Sequence, residues 1–209
     1  MRIGLLGGAF DPPHLGHLIV AESCLGAKGP GAKGVDQVWF LPSANPPHKV
    51  ASRLASWNDR LEMVRLAISG NSAFRVEPIE AGLPAPNFSF QTLAALRDKY
   101  PEHEFFLILG EDSLADLPHW RNPGEILRQV GILVYPRLET RPGVNAKHAK
   151  EVLEQGSPEA NISWITGVPD IGIASRDLRQ RCLLGQSIRY QVPPLVEEFI
   201  RQKHLYVVN

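Results

Sequence analysis

Three glycines and two histidines lie close together in residues 7–17, whose sequence is GGAFDPPHLGH. Glycine allows the main chain to approach an anion closely, and an imidazole can donate a hydrogen bond or bind a metal ion. Two prolines stiffen the middle of this histidine segment because each fixes its own backbone torsion. The segment is therefore typical of a phosphate-binding loop, of half a metal site, or of a tight turn that contains histidine.

A metal site and a dinucleotide-binding loop are both poorly supported by the spacing. His14 and His17 could share one helix face and one ion, but zinc would need a third ligand, and no HExxH motif or nearby cysteine provides it. The glycines at positions 4, 7 and 8 miss the GxGxxG fingerprint, and no GK[ST] of a Walker loop follows. Hydride transfer with a dinucleotide is therefore disfavoured.

Phosphate binding is the remaining function for this segment. A helix that begins near Leu15 would direct its first N–H groups and the positive end of its dipole toward an anion. The structural alternative is that one histidine is a helix cap or fills a core position. The residues alone thus predict an anion site without naming its reaction.

Short apolar runs alternate with segments of helical spacing, and these elements must position the histidine segment. Strands are predicted at residues 3–6, 38–41, 74–76, 105–109, 132–135 and 162–165. Helices are predicted at residues 15–25, 59–68, 90–97, 123–130, 176–184 and 194–203, with one more inside 142–156.

This alternation predicts an α/β fold with a mostly parallel sheet and helices on both faces. Ligands of such sheets bind beyond the carboxyl ends of the strands, so the loops after Leu6, Leu41 and Leu109 should surround one site. The glycine-rich segment 26–34, GAKGPGAKG, predicts a surface loop.

Composition and charge limit the class of protein. A chain of 209 residues with 44% hydrophobic and 21% charged residues is typical of one globular domain. The 22 basic residues balance the 22 acidic ones, so net charge indicates neither nucleic acid nor a membrane as a partner. Cys24 and Cys182 form no CxxC pair, and no stretch resembles a signal peptide or membrane span. We expect a single domain over residues 1–209 in the cytoplasm, with the oligomeric state open and a homodimer among the alternatives.

The histidine segment resembles the GxFxPxHxGH signature of the HxGH nucleotidylyltransferases, and the rest of the chain is similar to the nicotinate-nucleotide adenylyltransferase family. The matching segments are PSANPPHK at 42–49, RLEM at 60–63, SFQTL at 89–93, LGEDSLADLPHW at 109–120, IASRDLR at 173–179 and QSIRYQVPPLVEEFI at 186–200. They cover nearly the whole chain in the family's order. The resemblance implies a Rossmann-like, doubly wound sheet with a small helical C-terminal part at about residues 174–209.

The resemblance also implies a reaction, in which ATP and nicotinate mononucleotide give nicotinate adenine dinucleotide (deamido-NAD) and pyrophosphate. The second pKa of a phosphate monoester is about 6, so the attacking phosphate is already largely a dianion near neutral pH. A general base is then unnecessary, and the site must align two polyanions and neutralise charge. Mg²⁺ is the implied cofactor, held mainly by substrate phosphates and not by protein ligands.

For ATP, the resemblance assigns catalysis to His14, His17 and Arg179, with the histidines as hydrogen-bond donors. Ser175 opens a predicted helix and has an alternative role as its N-cap. The family usually has a hydroxyl residue in place of Arg176, which is therefore either a replacement cation or a surface residue. The implied ATP site consists of Gly7, Gly8, Ala9, Phe10, His14, Gly16, His17, Gly110, Asp112, Ile173, Ser175 and Arg179.

For the acceptor nucleotide, an aromatic face suits the pyridine ring, and N–H groups near Phe88 and Ser89 could bind its carboxylate. The family usually has tyrosine in place of Phe88. Two residues also have structural interpretations, Asp112 as the cap of a short helix and Trp120 as a core residue. The implied acceptor site consists of Asn45, His48, Lys49, Phe88, Ser89, Asp112, Trp120 and Arg141, with Arg137 as the alternative to Arg141.

Two other functions stay open at this point. Pantetheine-phosphate adenylyltransferase shares the HxGH and serine motifs, although PPHK at 46–49 and the run at 109–120 favour the nicotinate family. A non-catalytic nucleotide-binding module would lack a histidine of HxGH or the late arginine, and His14, His17 and Arg179 are all present. The preference for nicotinate over nicotinamide mononucleotide is not fixed by the sequence.

Overall fold

A six-stranded sheet forms the centre of the protein. The computed structural model describes residues 1–26, 34–44, 54–136, 145–169 and 171–207. The strands are β1 (Arg2–Gly8), β2 (Gln37–Pro42), β3 (Phe74–Val76), β4 (Glu104–Gly110), β5 (Gly131–Tyr135) and β6 (Ile162–Trp164). Neighbouring strands are parallel throughout this sheet, and their order is β3-β2-β1-β4-β5-β6. The parallel sheet predicted from the alternation of elements is confirmed.

Helices connect these strands. They are α1 (Leu15–Leu25), α2 (Trp57–Ile68), α3 (Ser89–Lys99), α4 (Glu111–Asp116), α5 (Pro123–Gln129), α6 (Ala146–Gly156), α7 (Ser175–Leu183) and α8 (Pro194–Gln202), with short 3-10 helices at Ile79–Gly82 and Leu117–His119. Hydrophobic periodicity does not predict α4, because only Leu114 of its residues is buried. Most of the predicted loop at 26–34 lies outside the described residues.

Side-chain caps fix the starts of two helices. Ser56 precedes α2, and its hydroxyl oxygen accepts a hydrogen bond from the Asp59 N–H at 3.1 Å. Asn145 precedes α6 and accepts one from the His148 N–H at 2.9 Å. Each cap satisfies an N–H group that has no partner inside the helix, so the local sequence determines where the helix begins.

Side chains of the strands alternate between two cores. The first core, which includes Phe40 and Phe106, lies against α1, α2, α7 and α8. The second core, which includes Leu5, Trp39 and Leu107, lies against α3, α4, α5 and α6. Burial on both faces explains why the strands are nearly continuous apolar runs. The predicted helices on both faces are confirmed.

The strand order reverses between β1 and β4, which lie side by side in the middle of the sheet. A crevice at such a switch point is where open α/β sheets bind their ligands. The histidine segment follows β1 and the run at 109–120 includes the end of β4, so the fold brings both to one edge of the sheet.

The C-terminal helices belong to the first core. Leu178 of α7 and Val196 and Ile200 of α8 are buried there together with Leu6 of β1. The assignment of about residues 174–209 to a C-terminal part of a single domain stays a prediction. Among the helices that the structure describes, none combines the length and the apolar character needed to cross a bilayer.

Candidate active site

A cavity of about 320 Å³ opens at the carboxyl ends of the central strands. This volume suits a small-molecule ligand. Its wall includes Leu41 of β2 and residues that follow Leu6 and Leu109, so the predicted convergence of the three loops is confirmed. The predicted site residues that line the cavity are Gly7, Gly8, His17, Ser89, Gly110 and Trp120.

His17 lines this cavity, and the structure fixes the orientation of its ring. Its Nδ1 accepts a hydrogen bond from the His14 N–H at 3.1 Å, so the neutral ring carries its proton on Nε2. The Phe10 ring packs edge-on against the imidazole, with 5.0 Å between ring centroids. This arrangement fixes both the tautomer and the orientation of His17.

His14 lies directly behind His17 and is only 7% exposed. The two imidazole centroids are 3.7 Å apart, and the His17 N–H donates to the His14 carbonyl oxygen at 3.0 Å. A Cβ at position 16 would lie 3.0 Å from His14 Nδ1, so Gly16 is required for this close packing. His14 is the N-cap residue of α1, and its N–H is satisfied by the His17 side chain, so the cap interpretation is confirmed alongside any role toward phosphate.

The start of α1 offers fewer N–H groups to an anion than the sequence predicts. The Leu15 N–H donates to the Gln191 carbonyl at 2.9 Å, and the His14 N–H donates to His17. The expectation that the first N–H groups of α1 face a phosphate is therefore wrong for Leu15 and stays a prediction for Gly16.

The glycine loop joins the cavity to the first core. Gly7 is exposed, and a Cβ at this position would meet no described atom within 4 Å. A Cβ on Gly8 would meet the Phe10 ring at 3.3 Å, and the Ala9 carbonyl accepts from Arg60 Nη1 at 2.8 Å. Phe10 is 1% exposed, so its side chain belongs to the core and only its main chain remains for ATP.

α7 is fastened to the histidine segment by two of the predicted ATP residues. The Ser175 hydroxyl donates to the Pro12 carbonyl at 2.8 Å, and Arg179 Nη1 donates to the Asp11 carbonyl at 2.7 Å. Ala174, and not Ser175, is the N-cap of α7, so the cap interpretation of Ser175 is wrong. The loop before α7 also packs Ile173 against the first core.

Arg176 faces away from this contact. Its side chain is exposed and pairs with Asp177, at 3.2 Å between Nε and Oδ1. Of the two interpretations of Arg176, the structure favours the surface residue.

The acceptor side of the cavity is formed by the start of α3 and by Trp120. Ser89 is the first residue of α3. Trp120 lines the cavity while also packing against the second core, and its Nε1–H donates to the Asp116 carboxylate at 3.2 Å. Phe88 stacks on Phe90, with 6.3 Å between ring centroids. Trp120 is therefore the better placed aromatic face for a pyridine ring.

Asp112 lies beside Gly110 at the end of β4. The N-cap of α4 is Gly110, and Asp112 is the second helical residue, so the interpretation of Asp112 as the cap is wrong. A Cβ on Gly110 would lie 2.6 Å from Asp112 Oδ1 and 3.2 Å from Tyr135 Oη. Glycine at this position therefore lets both polar side chains approach the strand end.

Several cavity residues were missed by the sequence reasoning. Glu80 accepts hydrogen bonds from the Ala44 N–H and from the Thr92 hydroxyl, each at 3.2 Å, and burial raises its pKa. It lies in a 3-10 helix that no periodicity marks, so no local signal could have found it. The missed lining residues with polar side chains are Ser43, Glu80, Thr92, Ser113 and Tyr135.

Five predicted acceptor residues lie outside the described part of the chain and stay predictions. These are Asn45, His48, Lys49, Arg137 and Arg141. Within the described ranges, no group of three or more His, Cys, Asp or Glu side chains is arranged to hold a metal ion.

Comparisons with known proteins show the family and the fold. A family model described as cytidylyltransferase-like matches residues 5–181. The curated relatives include two that are named "Probable nicotinate-nucleotide adenylyltransferase". The relative from a Synechococcus species is 39% identical over 99% of this chain and 95% of its own length. The relative from Shouchella clausii is 38% identical over 100% of this chain and 98% of its own length. The nicotinic acid mononucleotide adenylyltransferase of Plasmodium falciparum, solved in complex with NaAD, shares the fold with a TM-score of 0.74 at 17% identity, covering 98% of this chain and 97% of that one.

Proposed function

The chain belongs to the nicotinate-nucleotide adenylyltransferases of the cytidylyltransferase-like family, and we propose that its cavity joins ATP to nicotinate mononucleotide. A phosphate oxygen of the mononucleotide attacks the α-phosphorus of ATP in line. The bond from that phosphorus to the oxygen that bridges the α- and β-phosphates breaks. The products are nicotinate adenine dinucleotide and pyrophosphate, so the enzyme serves the synthesis of NAD.

One observation carries the proposal. The glycine loop, His17, Ser89 and Trp120 all line the cavity, with His17 on a helix that packs on one face of the sheet and Ser89 on a helix that packs on the other. The first group suits a polyphosphate and the second suits an aromatic ring with a carboxylate, so the phosphates of the two reactants can meet at this cavity.

The ATP half acts through charge and position. His17 donates from Nε2, and Arg179 adds a guanidinium that is held against the histidine segment. Donors arranged before the reaction stabilise charge that develops on the α-phosphate and on the departing pyrophosphate. The mononucleotide phosphate is already ionised near neutral pH, so no side chain needs to remove a proton from it.

The acceptor half positions the mononucleotide. Trp120 offers a ring face to the pyridine, and the hydroxyl and N–H of Ser89 suit the nicotinate carboxylate. We assign Asn45, His48, Lys49 and Arg141 to the mononucleotide phosphate and ribose on the basis of the family resemblance. We assign Asp112, whose side chain lies beside Gly110, to both substrates on the basis of the family resemblance.

Mg²⁺ fits this site as part of the MgATP substrate. The groups that we assign to the triphosphate are imidazole, guanidinium and glycine main chain, which donate to phosphate oxygens and do not ligate a hard cation. Phosphate oxygens and water would therefore supply the ligands of the ion, which neutralises charge on the triphosphate when bound.

The reaction is tested by pyrophosphate release with ATP and Mg²⁺ and one acceptor at a time. We expect release with nicotinate mononucleotide, and parallel rates with nicotinamide mononucleotide measure the preference for the acid. Release with phosphopantetheine but not with nicotinate mononucleotide would contradict the proposal in favour of the sibling enzyme. ATP binding without release with any acceptor would identify a non-catalytic nucleotide-binding module.

A further inference from the structure

We propose that Asp11 is a positioning residue that holds Arg179 toward the triphosphate, and that Tyr206, far along the chain, holds Asp11 in place. The inference rests on the proposed function, because the role of Arg179 in ATP binding does. It extends the ATP half of the site to a residue outside the region 5–181 that the family model matches.

Asp11 is an internal carboxylate in the middle of the histidine segment. It is 1% exposed, so water cannot solvate its charge. Its Oδ1 accepts hydrogen bonds from the Ala55 N–H at 3.1 Å and from the Tyr206 hydroxyl at 2.7 Å. A buried carboxylate is tolerated only where such donors and a positive partner surround it.

Arg179 supplies one positive partner. Its Nη1 lies 3.5 Å from Asp11 Oδ2 and donates to the Asp11 carbonyl at 2.7 Å. The same residue thus fixes the guanidinium with its charge and with its main chain. A guanidinium has five N–H donors, so this attachment leaves others for phosphate oxygens.

Arg60 is a second positive charge near Asp11. It is 2% exposed, and it donates to the Ala9 carbonyl at 2.8 Å and to the Ala55 carbonyl at 3.3 Å. Burial lowers the pKa of Arg60, while Asp11 acts in the opposite direction. Asp11 therefore lies among two guanidinium groups and a phenol, each contributed by a different part of the chain.

Tyr206 acts as a permanent donor. It follows α8, whose residues Val196 and Ile200 are buried in the first core. Burial and the neighbouring charge of Asp11 both raise the pKa of the phenol, so the hydroxyl keeps its proton. The hydroxyl can then only stabilise the carboxylate and not repel it.

Loss of the Asp11 charge should weaken the binding of ATP and leave the binding of nicotinate mononucleotide nearly unchanged. Asp11→Asn keeps an oxygen that can accept from Ala55 and Tyr206 but removes the charge that attracts Arg179. Because the charge on Asp11 Oδ2 lies 3.5 Å from Arg179 Nη1, its loss removes the attraction that orients the guanidinium, and we expect the KM for ATP to rise about tenfold. The KM for nicotinate mononucleotide should change less than about twofold. Tyr206→Phe should raise the KM for ATP about threefold to tenfold.

A double-mutant cycle tests whether Asp11 acts through Arg179. The dissociation constant of ATP alone is measured by calorimetry for the wild type, Asp11→Asn, Arg179→Ala and the double variant. We expect Asp11→Asn to weaken ATP binding in the wild-type background and to have little effect in the Arg179→Ala background. Asp98→Asn, on the exposed face of α3, and Tyr190→Phe, at an 85% exposed side chain, are the matched controls.

Equal weakening by Asp11→Asn in both backgrounds, or an equal rise of both KM values, would overturn the inference. If Asp11→Asn does not fold, Tyr206→Phe carries the same test, because it removes only one hydroxyl. The calorimetric readout also separates the two proposals. A wild type that binds ATP but makes no dinucleotide would refute the proposed function, whereas the cycle alone decides the role of Asp11.

Discussion

A single hydrogen bond from the main chain limits what His17 can do. Because the His14 N–H donates to Nδ1 of His17, the neutral ring carries its proton on Nε2, and the residue lines the cavity. A donor suits a reaction whose nucleophile is already ionised. The same bond also caps α1, so the residue has a structural and a chemical role that substitution by alanine would remove together.

Two substitutions at His17 separate these roles. We expect His17→Ala to lower kcat by about 10² to 10³, as removal of a preorganised donor does. His17→Glu keeps an acceptor for the His14 N–H, so its melting temperature should stay near that of the wild type, but its charge repels the triphosphate and kcat should fall at least as far. Steady-state kinetics and thermal melting measure the two effects. His148→Ala, at an exposed position of α6, is the control.

A loss of less than about tenfold in His17→Ala would contradict the donor role. Recovery of activity in His17→Glu would contradict it as well, because that variant restores only the cap.

The sequence identifies residues whose function depends on near neighbours. The histidine segment can be recognised from the sequence because its glycines, prolines and histidines lie within one loop. Glu80 and Tyr206 could not be identified from the sequence, because each acts through a hydrogen bond to a distant residue. Glu80 accepts from Ala44, and Tyr206 donates to Asp11. Neither hydrophobic periodicity nor a short motif predicts a contact between residues that are far apart in the sequence.

At the scale of elements, glycines mark where strands and side chains approach most closely. β5 begins at Gly131, where a Cβ would lie 2.6 Å from Cδ1 of Phe106 on β4. Phe106 is buried in the first core and cannot move without disturbing it. The small residue is therefore part of the pairing between β4 and β5.

We expect Gly131→Ala to lower the free energy of unfolding by about 1–3 kcal/mol, because it overpacks this junction. Urea denaturation measures the change. Gly82→Ala is the matched control, because a Cβ there meets no described atom within 4 Å, and it should change the free energy by less than about 0.5 kcal/mol. Equal effects of both substitutions would show that steric contact with Phe106 is not the cause.

The sequence predicts elements better than their arrangement. Observed ends lie within two residues of the predicted ones, with β1 and α3 longer than predicted and β6 and α8 one residue shorter. Periodicity does not predict α4, because six residues with one buried position carry no period, and only the alternative role of Asp112 as a cap indicated a short helix there. The strand order follows from how each crossover packs on the sheet, and the apolar runs themselves do not encode it.

At the scale of the whole molecule, both ends of the chain share one core. Leu6 of β1 and Ile200 of α8 are buried in the same cluster. We therefore expect a single unfolding transition, with far-UV circular dichroism and tryptophan fluorescence giving coincident curves. Trp39 reports from the second core, so agreement of the two signals tests the coupling of the two faces.

Ile200→Ala should shift both curves together and lower the free energy of unfolding by about 2–5 kcal/mol, because it leaves a cavity in the first core. Leu195→Ala, at a side chain that is 52% exposed on the same helix, is the control. Two separated transitions, or a shift of only one signal, would indicate that α7 and α8 form an independent unit.

The contact between Tyr206 and Asp11 also determines when, during synthesis of the chain, the site can be completed. The two residues are 195 positions apart in the chain, and a ribosome adds roughly 5–20 residues each second. At that rate, Tyr206 is added to the chain roughly 10–40 seconds after the histidine segment has been synthesised. During that interval the nascent chain carries the histidine segment without the donor that holds Asp11, so we expect its full affinity for ATP only after Tyr206 has been added.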